Sequence, residues 1–365
     1  MNCPEEIIKI KAELLCWSIK PTEVAYKAFR IQNPFDHRKT GNVGLHIDLG
    51  YNSYVMAILG HKYTRSSPYE LKQEGKKWFL YKNDNKACEI EIVKPPKWYS
   101  KKTSNGIPMY KLFLLEGINT LHSPYYMPCG YSAIGRQCKF CSISSSKIVE
   151  RNPQDVAETA AAAFRENPSS SVSLSGGTTL TPDKSAGHLS KYVKAIRKLS
   201  KIPIFSELSP PDTNEYIDLL VKSGSNSFGF DIELWDESLR KKICPGKSEI
   251  SRQRYFDTWE YALSKVGKSN VCTVLIAGLE PLESTLKGAK EITKRGVIPS
   301  ILTFRPFDGS EYEDKLPPNP KELLIIGKKV SQLLRKYGLN RRNSPGCIGC
   351  AGCTIDDDFS GIMLN

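Results

Sequence analysis

Three cysteines lie close together in the middle of the chain, at Cys129, Cys138 and Cys141, with the spacing C-x8-C-x2-C. Thiolates are the preferred protein ligands of iron–sulfur clusters, and they also bind zinc. A closed structural zinc site has four ligands, whereas a cluster held by three thiolates keeps one iron open for a substrate or cofactor. The spacing therefore favours an open cluster. A zinc site with a distant fourth ligand and unrelated buried cysteines are the alternatives.

A second group of cysteines lies near the end of the chain, at Cys347, Cys350 and Cys353. The spacing C-x2-C-x2-C with interleaved glycines is dense, and glycine leaves the backbone free to direct its N–H groups at sulfur. We predict an auxiliary iron–sulfur cluster here, with zinc as the main alternative. The sequence leaves the fourth ligand open between Cys16, a serine and no protein residue.

Composition indicates a globular chain that can bury a sizeable core. Its 365 residues are 40% hydrophobic and 25% charged, which suits one large α/β barrel with a small additional domain. Clustered cysteines in such a chain indicate metal binding rather than disulfides. The other cysteines are scattered and are typical of small buried hydrophobic residues, namely Cys3, Cys16, Cys88, Cys244 and Cys272.

Charge and hydropathy narrow the location and the partners. The sequence has no run of eighteen apolar residues, so we predict no membrane span. Residues 1–20 resemble an amphipathic surface helix and lack the apolar core of a signal peptide, which predicts a cytoplasmic protein. The net charge of +13 favours an anionic partner, either nucleic acid or an acidic protein. Nucleic acid is the less favoured, because the lysines are spread along the whole chain.

Residues 1–105 lack the alternation of strands and helices that marks an α/β barrel. Turn residues separate short alternating runs, which are typical of strands. These runs lie at 43–49, 54–59, 78–81 and 88–93. We predict a small β-rich domain behind an N-terminal helix. His46 and Asp48 alternate on one strand face, and we interpret them as surface or hydrogen-bonded residues rather than metal ligands.

A regular alternation of strands and helices begins near residue 108. The predicted strands lie at 110–115, 171–175, 202–208, 227–234, 271–276 and 298–304. Strands joined by crossover helices form a parallel sheet, so six βα units predict an α/β fold with a partial (βα)6 TIM-like barrel over residues 106–340. Residues 341–365 follow as a cysteine-rich extension. Such barrels carry their chemistry at the carboxyl ends of the strands, and the first cysteine loop directly follows the first predicted strand.

Candidate binding residues stand at the predicted ends of the second and third strands. Residues 175–178, Ser-Gly-Gly-Thr, leave bare backbone after the second strand. Glycine lets a ligand approach the main chain. Backbone C=O groups can then accept hydrogen bonds from the ligand's amine, and backbone N–H groups can donate to its carboxylate. Glu207 ends the third strand and can accept hydrogen bonds from a ribose diol.

The fourth predicted strand carries Asp231 and Glu233, which alternate and should therefore face the same side. Two buried carboxylates need partners. Arg240 and Lys247, in the following loop, can pair with them or bind an anionic ligand, whereas a solvated edge strand is the alternative. After the fifth strand, Gly278 exposes backbone beside the carboxylate of Glu280. Arg305 ends the sixth strand and adds a cation to the same barrel mouth.

The barrel with its cysteine loop resembles the radical S-adenosylmethionine (SAM) superfamily over about residues 108–340. That superfamily more usually spaces its cysteines C-x3-C-x2-C, with longer first gaps in some branches. Phe140 supplies the aromatic residue that is typical before the third cysteine. Gly176 and Gly177 resemble the methionine-binding motif, in which Thr178 stands where glutamate is common. Residues 275–280 resemble the strand-five motif that lines the adenine pocket.

Within the superfamily the chain is similar to the biotin-synthase-related branch, including components of archaeal two-component lipoyl synthases. The likeness lies in the cysteine-rich end and in the runs at 207–211, 230–233, 244–247 and 305–309. The resemblance implies a [4Fe–4S] cluster on Cys129, Cys138 and Cys141 whose open iron binds SAM. With it we assign cofactor binding to Phe140, Ser175, Gly176, Gly177, Thr178, Glu207, Asp231, Glu233, Arg240 and Gly278.

The resemblance implies reductive cleavage of SAM to methionine and a 5′-deoxyadenosyl radical, which abstracts hydrogen from an unactivated carbon. With a second cluster it implies sulfur insertion, as in lipoyl and biotin synthases, on a substrate such as an octanoylated carrier protein. The alternatives are small-molecule biosynthesis or tRNA modification with an electron-transferring auxiliary cluster, and a non-enzymatic zinc-binding protein. The expected partners are a reductant such as ferredoxin or flavodoxin, an acidic carrier protein and a second radical SAM chain.

Overall fold

The computed structural model describes residues 2–34, 43–126, 128–142, 150–350 and 352–362. Two β-sheets organise this part of the chain. The first has five antiparallel strands from the N-terminal region, and the second has seven strands, of which six are parallel. The predicted N-terminal β-rich domain and the predicted partial barrel are both confirmed.

Two helices pack against the N-terminal sheet, α1 Pro4–Trp17 and α2 Glu23–Gln32. The strands are β1 Val43–Asp48, β2 Tyr54–Leu59, β3 Tyr69–Glu74, β4 Lys77–Lys82 and β5 Asn85–Ile92. Their spatial order is β2-β1-β5-β4-β3. Neither the helix α2 nor the strand β3 is predicted from the sequence. In β3, glutamate, lysine and glutamine alternate with the few apolar residues, so the strand has little apolar signal.

The second sheet forms the partial barrel. Its parallel strands are β7 Thr120–Tyr126, β8 Ser171–Gly176, β9 Ile204–Glu207, β10 Ser227–Gly229, β11 Val271–Ala277 and β12 Ile298–Thr303, side by side in chain order. β6 Leu114–Glu116 adds an antiparallel edge strand. The helices of this region are α3 Gly130–Ala133, α4 Pro153–Glu166, α5 Ala186–Leu199, α6 Glu215–Ser223, α7 Glu237–Ile243, α8 Arg252–Val266, α9 Leu282–Lys294 and α10 Pro320–Lys336.

The first barrel strand differs from the prediction. The predicted segment 110–115 contains part of a short 3₁₀ turn, Met109–Lys111, and the beginning of β6. Gly117, with φ +59°, turns the chain so that β7 runs back antiparallel to β6. The first parallel strand is therefore β7, whose histidine and hydroxyl residues interrupt the apolar pattern. The cysteine loop still follows the first parallel strand directly.

The fourth barrel strand is shorter than predicted. β10 ends at Gly229, so Asp231 and Glu233 lie beyond it and do not alternate on one strand face. Glu233 has φ +69°, a left-handed conformation that costs a residue other than glycine on the order of 1–3 kcal/mol. It rejoins the sheet through an isolated bridge to Leu275. The two carboxylates consequently meet different partners.

Local sequence explains where two long barrel helices begin. Asn152 and Asn319 accept hydrogen bonds from backbone N–H groups at the starts of α4 and α10, and a proline follows each at the first helical position. The buried face of α4 is rich in alanine, which lets the helix lie close to its neighbours. Across the described ranges, no helix combines the length and the apolar character that crossing a membrane needs.

The C-terminal cysteine segment, residues 341–350 and 352–358, lies against the amino ends of the barrel strands. It contains α11 Cys347–Cys350 and leads into α12 Asp358–Ile362. The Gly346 N–H donates to Ser171 Oγ at the start of β8 over 2.9 Å. The Ser344 hydroxyl donates to the Ser269 carbonyl just before β11 over 2.7 Å. These bonds hold the cysteine segment under the barrel.

Two buried ion pairs also hold this segment. Arg341 Nε lies 3.0 Å from Asp356 Oδ2, with both side chains 1% exposed, although the atoms are not aligned for a hydrogen bond. Lys11 Nζ of α1 lies 2.6 Å from Asp358 Oδ2. A buried charge that loses its partner is strongly destabilising. The cysteine segment therefore depends on both pairs.

Replacing Arg341 by methionine should destabilise the fold by about 3–5 kcal/mol, because Asp356 would remain buried without its partner. The matched control is Arg342→Met. Arg342 Nε lies 2.6 Å from Asp357 Oδ2 but its side chain is 47% exposed, so its loss should cost only about 0–1 kcal/mol. Urea unfolding of both variants measures the difference. Equal losses would contradict the role of the buried pair.

Candidate active site

The cysteine loop from Cys129 to Cys141 is fixed to the turn that follows β8. The Gly130 N–H donates to the Thr178 carbonyl over 2.7 Å. A Cβ atom at Gly177 would stand 2.0 Å from the Pro128 carbonyl oxygen and 2.6 Å from the Cys129 nitrogen. Only glycine allows this approach of two backbones. The Gly-Gly turn therefore positions the beginning of the cysteine loop.

The same loop has a second contact with the segment that follows α7. The Lys139 N–H donates to the Ile243 carbonyl over 2.9 Å, and the Gly246 N–H donates to the Arg136 carbonyl over 3.0 Å. A Cβ atom at Gly246 would meet the ring of Tyr131 at 2.3 Å. The loop is thus held from two sides at the carboxyl edge of the sheet, where the sequence predicts it.

Cys138 and Phe140 are partly buried against a small apolar cluster that includes Leu234 and Ile276. Cys244 belongs to this cluster, and its thiol is hydrogen-bonded with that of Cys138. Within the described ranges, no three His, Cys, Asp or Glu side chains converge as ligands of one metal ion. A cluster of four irons holds its thiolates farther apart than one ion does, so this observation bears on zinc and not on a cluster.

The carboxylates at the strand ends form two different contacts. Asp231 Oδ1 accepts the Val274 N–H over 3.0 Å, and Glu233 forms an ion pair with Lys247. Burial, and then the neighbouring Asp231, raises the pKa of Glu207 to about 8. Burial also raises the pKa of Asp231. Glu207 and Asp231 therefore hold a proton between them near neutral pH.

Arg240 is fully buried and lies beside this group. Its Nη2 donates to the carbonyls of Lys247 and Ile250 over 2.8 and 2.9 Å, and its guanidinium stands 5.0 Å from the centre of the Tyr255 ring. Its Nε has no hydrogen-bond partner among the residues described. A buried N–H donor without a partner is rare, and a guanidinium suits a carboxylate. Nη1 lies 3.6 Å from Glu237 Oε2, so Nε is the donor that remains for the carboxylate of a ligand with an amino acid group, as in SAM.

A histidine and a glutamate line the barrel interior. His122 of β7 lies between Glu116 and Ser175, with 3.2 Å from Nδ1 to Glu116 Oε1 and 2.7 Å from Nε2 to Ser175 Oγ. Burial opposes protonation, but the Glu116 carboxylate raises the pKa of His122 overall. The two side chains keep 30% and 26% exposure, so both are partly accessible. The hydrogen bond between His122 and Ser175 brings the pair to the start of the Gly-Gly turn.

The C-terminal thiols face the same interior. Cys347 Sγ lies 3.1 Å from Ser173 Oγ of β8, and Ser173 is paired in register with His122. Cys350 Sγ lies where a Cβ atom at Gly117 would be only 3.1 Å away. Burial raises the pKa of all three thiols, and the Glu116 carboxylate adds to the rise in each of them. The second cysteine group therefore lies close to the β6–β7 hairpin.

Three other predicted contacts have different surroundings. Glu280 accepts the backbone N–H groups of Trp235 and Asp236 over 2.8 and 2.7 Å. At Gly278 the close neighbour of the backbone is Pro318, 2.7 Å from a Cβ atom placed there. Arg305 donates to the carbonyls of Leu15 and Met56, over 3.3 and 3.2 Å. Arg305 therefore points toward the N-terminal domain and not into the barrel mouth, where the sequence predicted it.

Sequence reasoning missed Glu116 and His122. The cause is the predicted first strand at 110–115, which leaves residues 116–122 in the connection before the cysteine loop. The available signal was Gly117, a turn residue between two short runs that can form a hairpin. His46 is buried and accepts the Gly117 N–H at Nδ1 over 3.1 Å, which agrees with its interpretation as a hydrogen-bonded residue.

Comparison with known proteins finds similar sequences and a similar fold. The sequence pattern of the radical SAM superfamily matches residues 135–291. The bacteriochlorophyllide c C-7(1)-hydroxylase of Chlorobaculum limnaeum is 28% identical over 321 residues, which cover 79% of each chain. The crystal structure of methylornithine synthase superposes with a TM-score of 0.50 at 16% identity, over 72% of this chain and 78% of that one. This last likeness supports the fold.

Replacing Gly177 by alanine should displace the cysteine loop, because the new Cβ atom would meet the backbone of Pro128 and Cys129. Iron and acid-labile sulfide bound after anaerobic reconstitution should fall to about half of the wild-type content if two clusters are present. Gly187→Ala is the control, since a Cβ atom there would meet only one side-chain oxygen, Asp183 Oδ2 at 3.0 Å, and no backbone atom. Unchanged iron in the Gly177 variant would refute the role of this contact.

Replacing Glu207 by glutamine should stabilise the protein relative to wild type as the pH rises from about 5 to 8. A glutamate has an ordinary pKa of 4.5, and that of Glu207 is raised to about 8. The folded protein thus keeps a proton that the unfolded chain releases, and the wild type loses stability as the pH rises. Urea unfolding across this range measures the effect. Glu215→Gln, at an exposed position, should give a constant difference. A constant difference for Glu207→Gln would contradict the raised pKa.

Proposed function

Because the chain is an enzyme of the radical SAM superfamily, we propose that Cys129, Cys138 and Cys141 hold a [4Fe–4S] cluster with SAM on its open iron. When bound and reduced by one electron, this pair supplies a 5′-deoxyadenosyl radical that abstracts hydrogen from carbon. The loop that carries these cysteines is held at the carboxyl edge of the parallel sheet, where barrel enzymes carry their chemistry.

The residues around the loop support a SAM site. The Gly-Gly turn brings bare backbone to the start of the loop, and the unpartnered Nε of Arg240 suits the carboxylate of the methionine group. Glu207 and Asp231 can share hydrogen bonds with the ribose hydroxyls, since together they keep one proton and accept with the remaining oxygens. Phe140 and Cys138 pack against an apolar cluster, and apolar surroundings that keep water away protect a reactive radical.

For the fate of the substrate radical, our leading candidate is sulfur insertion. The observation that carries it is that Cys347 and Cys350 lie beside the strands around the Glu116–His122 pair, with Cys353 in the same segment. Three thiols at this place suit an auxiliary iron–sulfur cluster that stores sulfide. A substrate carbon held beside Glu116 and His122 would lie between the proposed SAM site and that sulfide.

The partners follow from this proposal. A radical SAM enzyme needs an electron donor, and we expect a small acidic protein such as ferredoxin or flavodoxin. If the substrate is an octanoylated carrier protein, its acidic surface would complement the net charge of +13, and such complementarity accelerates docking. A second radical SAM chain, as in two-component lipoyl synthases, would share the reaction. Nucleic acid and membrane are not part of this proposal.

Hydroxylation is the second candidate, and the similarity to bacteriochlorophyllide c C-7(1)-hydroxylase favours it. Both reactions begin with hydrogen abstraction from carbon, and they differ in the atom that the carbon receives. The identity of 28% over 79% of each chain supports shared early chemistry more strongly than a shared substrate.

The decisive experiment is product analysis after anaerobic reconstitution. The enzyme, SAM, a reductant and an octanoylated carrier peptide should give deoxyadenosine and a thiolated peptide. Changing Cys347, Cys350 and Cys353 to alanine should leave deoxyadenosine formation and abolish thiolation. Cys88→Ala, in the N-terminal sheet, should keep both. A parallel incubation with bacteriochlorophyllide c in ¹⁸O-labelled water tests hydroxylation.

Each outcome separates the candidates. Deoxyadenosine without sulfur in the peptide would overturn sulfur insertion on this substrate class, and ¹⁸O in the tetrapyrrole would establish the second candidate. Alanine variants of Cys129, Cys138 and Cys141 should form no deoxyadenosine. Zinc without sulfide in the wild-type protein, instead of about eight irons for two [4Fe–4S] clusters, would overturn the whole proposal.

A further inference from the structure

The β6–β7 hairpin lies against the C-terminal cysteine site. Resting on the auxiliary cluster proposed above, we propose that the Glu116 carboxylate is the fourth protein ligand of that cluster, beside Cys347, Cys350 and Cys353. The site would then be closed by protein on all four irons. The substrate would have to react at its sulfide and not at an open iron.

Contact between the hairpin and the thiols carries this proposal. Gly117 has φ +59°, and a Cβ atom there would lie 3.1 Å from both Cys350 Sγ and the Cys350 carbonyl oxygen. The sulfur of Cys350 therefore touches the residue next to Glu116 in the chain. The glycine is needed both for the turn and for the approach of the sulfur.

The second thiol approaches the hairpin from the neighbouring strand. Cys347 Sγ lies 3.1 Å from Ser173 Oγ. Ser173 pairs with His122 across β8 and β7, and His122 lies 3.2 Å from Glu116 Oε1. Cys350 thus lies against the β6–β7 turn beside Glu116, and Cys347 lies against the strand β8 that neighbours His122.

The Glu116–His122 pair has the arrangement of a ligand with its supporting residue. Carboxylates are established iron ligands, and ligating carboxylates are themselves hydrogen-bonded by neighbours that fix their direction. His122 can hold Oε1 at 3.2 Å while it also contacts Ser175 Oγ at 2.7 Å. Oε2 then remains for iron. His122 is a positioning residue in this arrangement and does not bind the metal.

Cys16 is the competing fourth ligand, and its surroundings disfavour it. Its thiol lies on the buried side of α1 and is 0% exposed, whereas the Glu116 side chain keeps 26% exposure. The Arg305 guanidinium, which bonds the Leu15 carbonyl next to Cys16, also contacts the Cys353 thiol. A guanidinium therefore stands beside both Cys16 and the Cys353 thiol.

The test uses the full-length chain with Cys129, Cys138 and Cys141 changed to alanine, so that only the auxiliary site binds iron. This protein should hold about four irons, and adding Glu116→Ala should give a cluster that loses one iron on mild oxidation, leaving about three and the spectrum of a [3Fe–4S] cluster. Cys16→Ser should keep all four. His122→Gln should keep the iron but shift the reduction potential of the cluster.

A matched glycine pair tests the contact itself. Gly117→Ala should lower the iron content of the auxiliary site, since the new methyl group would push against Cys350. Gly75→Ala has the same backbone strain, with φ +60°, but no neighbour within 4 Å, so its iron content should match wild type. Circular dichroism and urea unfolding establish that each variant is folded.

The outcomes distinguish this inference from the proposal on which it rests. If the triple cysteine variant binds no iron, the auxiliary cluster itself is refuted. If it binds four irons and Glu116→Ala resists oxidation like the parent, Glu116 ligation alone is refuted. Loss of the fourth iron in Cys16→Ser instead would assign the position to Cys16.

Discussion

The close approach of two backbones at Gly177 is the constraint on which the site depends. The turn after β8 and the start of the cysteine loop come together there with no room for a side chain. A thiolate ligand can hold a cluster only if its backbone is fixed, and the cysteine loop contains only the short helix α3, Gly130–Ala133. Because the sheet is rigid, the contact transfers that rigidity to the loop.

The second cysteine group also needs a fixed backbone, and different contacts hold it in place. It lies near the end of the chain, where segments are usually poorly ordered unless they are held. Here buried ion pairs, Arg341–Asp356 and Lys11–Asp358, fasten it to the barrel and to α1. Buried pairs are expensive to form and weak as a source of stability. Their value here is that they fix one arrangement of a glycine-rich segment, which Ile348 and Ile355 also anchor in the hydrophobic core.

Between the two cysteine groups lies an interior of mixed character. Apolar residues fill most of the barrel, but Glu207, Asp231, Glu116 and His122 occupy the side that faces both groups. Burying several carboxylates costs free energy, and the protein reduces the cost by pairing one with a histidine and by sharing a proton between two others. Such a polar interior is expected where a ligand is bound and not where only packing matters.

From the amino-acid sequence alone, the parallel barrel, the N-terminal sheet and both cysteine groups could be predicted, because periodicity and residue spacing are local properties of the chain. The sequence misplaced the first strand and overextended the fourth, since a hairpin at Gly117 and a left-handed Glu233 are imposed by neighbouring strands. Only the tertiary structure decided that Arg305 turns to the N-terminal domain and that Glu116 stands beside thiols more than 200 residues later. Contacts between residues so far apart leave no periodic trace, because each depends on how separate elements pack.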